Sequence, residues 1–335
     1  MTRTRPLERV TASDPFLLLW EDYGWPTDIG GVAFLDGTDL LDAGGTVPID
    51  KVRRHLEPKL SSVPRSRQVL HQPPLGRGWP LWVDAPSFDL AEHVRVRPLP
   101  EPADEDQLLR VAAALAAFGA LLDPSADTPS PPARSWSPSP APTPAQLLRD
   151  NIVRRRSELG RALAGLAHPR ATIRLARQVL PAWREVLSEA PAPSTSLKVP
   201  VSADRRFLVI RAELGTARQV ARSHDAKVND VLLTVVAAGL RELLGSRGED
   251  VRGLVSNVPG PPTPLFLAGA RVLEMFPPMP TMGNLTLVVG ALSYAGQLTI
   301  TASVDAQHRA DAGTFTQGVR AALDHLTRTL ARAVS

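Results

Sequence analysis

The stretch VSNVPGPPTPLFLAGARV, residues 255–272, decides how the last third of this chain is read. A β-branched start runs into Asn257, Pro259, Gly260, Pro261, Pro262 and Pro264, and then into an apolar segment. Proline fixes φ and lacks an N–H, and glycine supplies conformations that proline forbids, so this is a loop of few conformations. Such stiffness is useful where a loop must hold a position beside something else.

Upstream, GTARQVARSHDAKVNDVLLTVVAAGLRELLGSRG (215–248) predicts two helices broken between Asp225 and Asn229, the second stopping at Gly245 or Gly248. The alternating RRFLVIRAEL before it predicts a strand. Downstream, LTLVVGALSYAG and QLTITASVDA read as strands, closed by a helix from about Ala312 to Val334. Toward the N-terminus, SDPFLLLWEDY (13–23) has the composition of a capped helix, GGVAFLDG (30–37) of a strand and IDKVRRHLEPKL (49–60) of a helix. RQVLHQ and LWVDAP suggest strands, and DQLLRVAAALAAFGALL (106–122) a long apolar helix. The segment 123–144 is rich in proline and serine, a linker or surface crossover, and helical patterns resume over 145–188. Four parts follow: an N-terminal lobe over 1–122, the linker over 123–146, a basic helical crossover over 147–190 and a C-terminal lobe over 191–335.

The chain of 335 residues is 43% hydrophobic, enough for two domains or one large two-lobed unit. With no cysteine, disulfides, Cys-ligated zinc, iron–sulfur clusters and a thiol nucleophile are excluded. The N-terminus has no signal-peptide pattern, and nowhere do about 18 apolar residues run together, so the reading is a cytoplasmic protein that does not span a membrane. The net charge of +4 is uneven. Between Leu147 and Leu187 stand nine arginines against Asp150, Glu158 and Glu185. That segment suggests an anionic partner, lipid headgroups or a phosphorylated ligand rather than nucleic acid; the competing reading is a solvated helix face. In the docking reading, Arg154, Arg155, Arg156, Arg174, Arg177 and Trp183 face the membrane.

Motifs for phosphate loops, dinucleotide sites, zinc proteases and serine hydrolases are absent, and the seven histidines lack metal-ligand spacing, so no metal site is expected. His224-Asp225 has the form of a base oriented by a carboxylate, but a Ser-His-Asp run between two helices is ordinary capping composition. Asn229 can cap the helix it opens, with Asp230 complementing the dipole.

Six blocks in order, SDPFLLLWED, PRSRQ, WVDAPSFDLAEHV, NDVLLTVVAAGLRELLGSRGE, SNVPGPPTPLFLAGAR and LTLVVGALSYAGQLTITASVDAQHRAD, closely resemble the bacterial wax ester synthase/diacylglycerol acyltransferase family. The resemblance implies an α/β (α+β), two-lobed fold like the CoA-dependent acyltransferases and condensation domains. It also implies a tunnel that receives acyl-CoA, as co-substrate with no cofactor, and a diacylglycerol or long-chain alcohol, with docking at a membrane or lipid-droplet surface. Asn229, Asp230, Ser256, Asn257, Pro259 and Gly260 match the blocks that frame this tunnel. The family's base is the second histidine of an HHxxxDG motif, and this chain contains no His-His pair. By the resemblance, a catalytic strand and loop are missing at Ala114–Leu122 and further strands at Val251–Val255, so both lobes lack interior segments. No catalytic residue is therefore assigned. The readings that follow are a family acyltransferase, a non-catalytic lipid- or acyl-CoA-binding relative, or a shortened gene product.

Overall fold

The computed structural model describes residues 7–10, 30–74, 78–112, 125, 136–167, 205–245, 255–279, 286–306 and 309–334. The helix expected at 13–23, the seam at 114–122, residues 251–254 of the second seam, and Arg174, Arg177 and Trp183 lie outside the described residues. The chain forms two compact units, each discontinuous in sequence. One comprises Met1–Pro15, Val63–Phe88 and Ser135–Pro193; the other comprises Phe16–Ser62, Asp89–Arg134 and Ser194–Ser335.

In the first unit, β1 (Glu8–Arg9), β3 (Gln68–His71) and β4 (Leu81–Asp84) form an antiparallel sheet of order β1-β4-β3. A long helix spanning Pro144–Ala167 belongs to this unit. Arg9 joins them. Its Nε donates to Asp150 Oδ2 at 2.7 Å, and its other nitrogens reach the carbonyls of Trp79 and Leu147. The Arg67 guanidinium stands over the rings of Phe88 and Trp136 at 5.3 and 5.2 Å, within cation–π range.

The second unit begins with β2 (Val32–Leu35), α1 (Ile49–Leu56), α2 (Leu90–His93) and α3 (Glu105–Ala112); the long helix of the first unit is α4 in chain order. The helix predicted over 49–60 changes character after Leu56. Pro58 interrupts the i→i−4 pattern, and Glu57–Ser62 is a 3₁₀-helix. Then follow β5 (Arg205–Glu213), α5 (Leu214–Ser223), α6 (Val228–Gly245), β6 (Val255–Pro259), β7 (Phe266–Leu267), β8 (Ala270–Phe276), β9 (Leu287–Tyr294), β10 (Gln297–Asp305) and α7 (Arg309–Val334).

Period-2 alternation divides β5, β9 and β10 between two faces. Ile210, Val289, Ala291, Leu298, Ile300 and Ala302 point to one side and form the main core with Leu232, Val235, Val236 and Leu240 of α6 and Phe315 and Val319 of α7. On the other side Phe207 and Val209 meet Leu109, Phe276, Val32 and Phe34. The main sheet has the order β5-β10-β9-β6, antiparallel except for β6, which runs parallel to β9. A parallel neighbour needs a crossover, and here the proline loop and the β7–β8 hairpin provide it. That hairpin is where the sequence suggested one apolar segment. Ala268 and Gly269 both take positive φ, 52° and 93°, as do Ala295 and Gly296 between β9 and β10, which is the geometry of a two-residue primed turn. β8 also pairs with β2, so a strand near residue 33 shares a small sheet with one near residue 275.

Candidate functional site

The two sequence blocks singled out above meet at the start of α6 and on β6. Asn257 Nδ2 donates to Asn229 Oδ1 at 3.4 Å, across a separation of 28 residues. The sequence reading made Asn229 the helix cap, and the structure assigns that work differently. The helix already includes Val228, and Asp230 Oδ2 accepts the backbone N–H of Lys227 at 2.7 Å, half of a capping box. Asn229 is thereby left to reach the neighbouring strand.

Ser256 is half-buried opposite Gly290 of β9, and Asn257 and Pro259 are exposed opposite Ala291 and Ser293. Gly260 follows, pressed against β9. A Cβ on it would lie 2.3 Å from the Ser293 carbonyl oxygen, so the close approach requires glycine. The rest of the proline loop is held by Ala295 N donating to Pro261 O at 3.1 Å, and by Tyr294. The Tyr294 hydroxyl accepts from Leu265 N at 2.7 Å and donates to Val272 O at 3.0 Å, with the residue only 2% exposed. The sequence reading missed Tyr294; its signal is that the chain has just two tyrosines, and this one lies in an otherwise aliphatic strand.

His224 caps the end of α5, its Nδ1 bonded to Val220 O at 3.0 Å, while Asp225 occupies the positive-φ turn at 49°. The imidazole thus works in closing the helix. Among the described residues no group of three His, Asp or Glu is placed to hold a metal ion. A cavity of about 410 Å³ lies between β5, α5 and α7, with Ile210, Ala217, Val220 and Leu323 inside and Arg320 and Asp324 among its polar lining; none of the six block residues lines it.

On α4, Arg154 pairs with Asp150 at 3.1 Å, whereas Arg155 and Arg156 are exposed with no ion-pair partner among the described residues. Leu148, Ile152 and Leu159 are exposed on the same helix, at 53, 44 and 61%. No helix among the described residues is long and apolar enough to cross a membrane.

Comparison with known proteins agrees with the fold. The wax ester synthase/diacylglycerol acyltransferase catalytic domain matches residues 10–123 and 112–232, and the C-terminal domain of the same proteins matches 222–327. The catalytic match comes in two pieces that overlap over 112–123. A probable diacylglycerol O-acyltransferase of Mycobacterium tuberculosis, tgs3, is 30% identical over 267 residues, covering 65% of this chain and 96% of its own length. Another from that organism, tgs1, is 36% identical over 118 residues, 35% of this chain and 25% of its own length. Among solved structures, the wax ester synthase/diacylglycerol acyltransferase of Marinobacter aquaeolei VT8 superposes with a TM-score of 0.64 at 17% identity, covering 96% of this chain and all of that one. The first condensation domain of the calcium-dependent antibiotic synthetase gives 0.51 at 12% identity, covering 98% of this chain and 96% of its own. At these identities the two structures speak for the fold.

Proposed function

This chain belongs to the wax ester synthase/diacylglycerol acyltransferase family, and we propose that it works on the family's substrates, a long-chain acyl-CoA and a diacylglycerol or long-chain alcohol. The observation that carries this reading is the junction of the NDV and SNVPGP blocks. Asn229 of α6 and Asn257 of β6 meet next to a loop whose position is fixed by Gly260 and Tyr294. Asn229, Asp230, Ser256, Asn257, Pro259 and Gly260 are the wall of the substrate site in this proposal.

The chemistry of O-acyl transfer is attack of an acceptor hydroxyl on a thioester carbonyl, with CoA leaving as a thiolate that needs no strong acid. The attacking oxygen does need its proton removed. This chain has no His-His pair, and loss of a general base lowers a rate by roughly 10²–10⁴. What remains is positioning of the two reactants. The expected behaviour is therefore saturable binding of palmitoyl-CoA with very slow CoA release when dioleoylglycerol or hexadecanol is supplied. Release should fall about 10²–10⁴ below that of a family member carrying the motif, assayed side by side. Turnover equal to that enzyme would overturn the reading, because it would require a base that the sequence does not supply.

A second reading is carried by α4. Leu148, Ile152 and Leu159, spaced four and seven residues apart, lie on one helix face, and the exposed Arg155 and Arg156 flank it. An apolar stripe with cations beside it fits the surface of an anionic membrane or lipid droplet approached from the cytoplasm. In flotation, vesicles with phosphatidylglycerol should carry the protein and pure phosphatidylcholine vesicles should leave it behind. Equal flotation with both would remove the electrostatic argument.

A further inference from the structure

The face of β10 that points away from α6 and α7 is polar and buried. Thr299, Thr301, Ser303 and Asp305 alternate there with 2, 0, 0 and 1% exposure. Thr299 Oγ1 donates to Glu274 Oε1 at 3.3 Å, and Ser303 Oγ accepts from the backbone N of Met279 at 3.1 Å. Thr301, between them, has no hydrogen-bond partner among the described residues. The sequence supplies a reason. Thr299 meets residue 274 and Ser303 meets residue 279, and between these two stand Pro277 and Pro278, which have no N–H to offer. A fully buried hydroxyl with nothing to bind is destabilising, and it calls for an explanation.

The surroundings of Thr301 suggest one. Directly opposite it on β9 is Gly290. A Cβ at Gly290 would lie 2.6 Å from Met279 Cγ and 3.2 Å from Pro277 Cγ, so the space above this glycine is taken up by the Met279 side chain. Met279 itself is only partly buried, and Ser303 pins its backbone. A thioether chain with three rotatable bonds on a pinned backbone can swing aside without moving a strand. Such a swing would uncover a notch with Gly290 as its floor, Pro277 as a wall and the Thr301 hydroxyl inside.

We propose that Gly290, Met279 and Thr301 form a ligand slot closed by the methionine. Swinging of the Met279 side chain admits the carbonyl oxygen of a long-chain acyl thioester, with the chain and the CoA lying outside the notch, and Thr301 Oγ1 donates a hydrogen bond to that oxygen. These walls carry no charge. A phosphate or carboxylate entering them would lose its water with no counter-ion, whereas a neutral thioester or ester carbonyl asks for a single donor. Arg211, opposite Thr299 on β5, is already engaged by Glu274 at 2.8 Å and Glu105 at 2.5 Å. Burial disfavours its charge, but the hydrogen bonds to the two glutamates outweigh that and raise its pKa. This assignment rests on the acyl-CoA reading above and names the atom that would hold the acyl carbonyl.

The test is calorimetric binding of palmitoyl-CoA to the full chain and to Thr301→Val, Thr301→Ser and Met279→Ala. Thr301→Val keeps the shape and removes the hydroxyl. It should weaken binding about 3- to 10-fold, the worth of one net hydrogen bond, while its melting temperature stays level or rises. Thr301→Ser should restore wild-type affinity, and Met279→Ala, which removes the plug, should tighten binding. Wild-type affinity in Thr301→Val would overturn the slot alone. An unmodified chain that fails to bind palmitoyl-CoA at all would overturn the acyl-CoA reading and the slot with it. If Thr301→Val fails to fold, Met279→Ala decides, since unchanged affinity there is incompatible with a methionine that must move.

Discussion

Gly260 lies so close to β9 that a single methyl group would meet the Ser293 carbonyl oxygen at 2.3 Å. Gly260→Ala must therefore push the proline loop off the sheet, at a cost of roughly 1–3 kcal/mol, as for other overpacked sites. The change should appear in urea denaturation as a lower midpoint at unchanged slope. An unaltered midpoint would mean that the loop shifts freely, against the picture of a fixed frame. The stiffness of residues 259–264 was legible from proline and glycine alone. The object they are pressed against was not, because nothing local to the loop encodes Ser293 or Tyr294. In the same way His224-Asp225 suggested capping from composition, and the bond from His224 Nδ1 to Val220 O bears that out.

Among the elements, α4 shows best how one pair of residues can position a helix. The Arg9 side chain is 5% exposed and holds Asp150 at 2.7 Å, tying the short β1 to the first turns of α4. Asp150→Ala would take its carboxylate away from a nearly buried guanidinium. The expected loss is roughly 3 kcal/mol, the low end for a broken buried pair. Hydrogen exchange should show faster opening of the β1–β4 amides in this variant, and protection equal to wild type would mean that the pair contributes nothing. Helix periodicity made α4 readable from sequence, as it did α5, α6 and α7. Pairing of Arg9 with a residue 141 positions away has no periodic signature.

For the molecule as a whole, the pairing of β2 with β8 has the largest reach. Phe34 packs at 5.8 Å between ring centroids on Phe276, which is fully buried, so the strand around residue 33 is part of the same core as Phe207 and Val209. Phe34→Ala should cost about 3 kcal/mol. The loss should register in hydrogen exchange at β8, β9 and β10, far from residue 34 in sequence. Confinement of the effect to the amides around β2 would contradict a shared core.

The sequence by itself determined the strands and helices with strong periodicity, the stiffness of the proline loop, the family blocks and the absence of a histidine pair. Each of these is written in consecutive residues. Only the tertiary structure decided that β6 runs parallel to β9, that Asn229 meets Asn257, that β2 joins β8, and that Thr301 is buried with no hydrogen-bond partner among the described residues. Strand partners and cross-chain hydrogen bonds are set by packing of distant segments against a common core, and period-2 or period-3.6 patterns report which face is buried without saying what covers it.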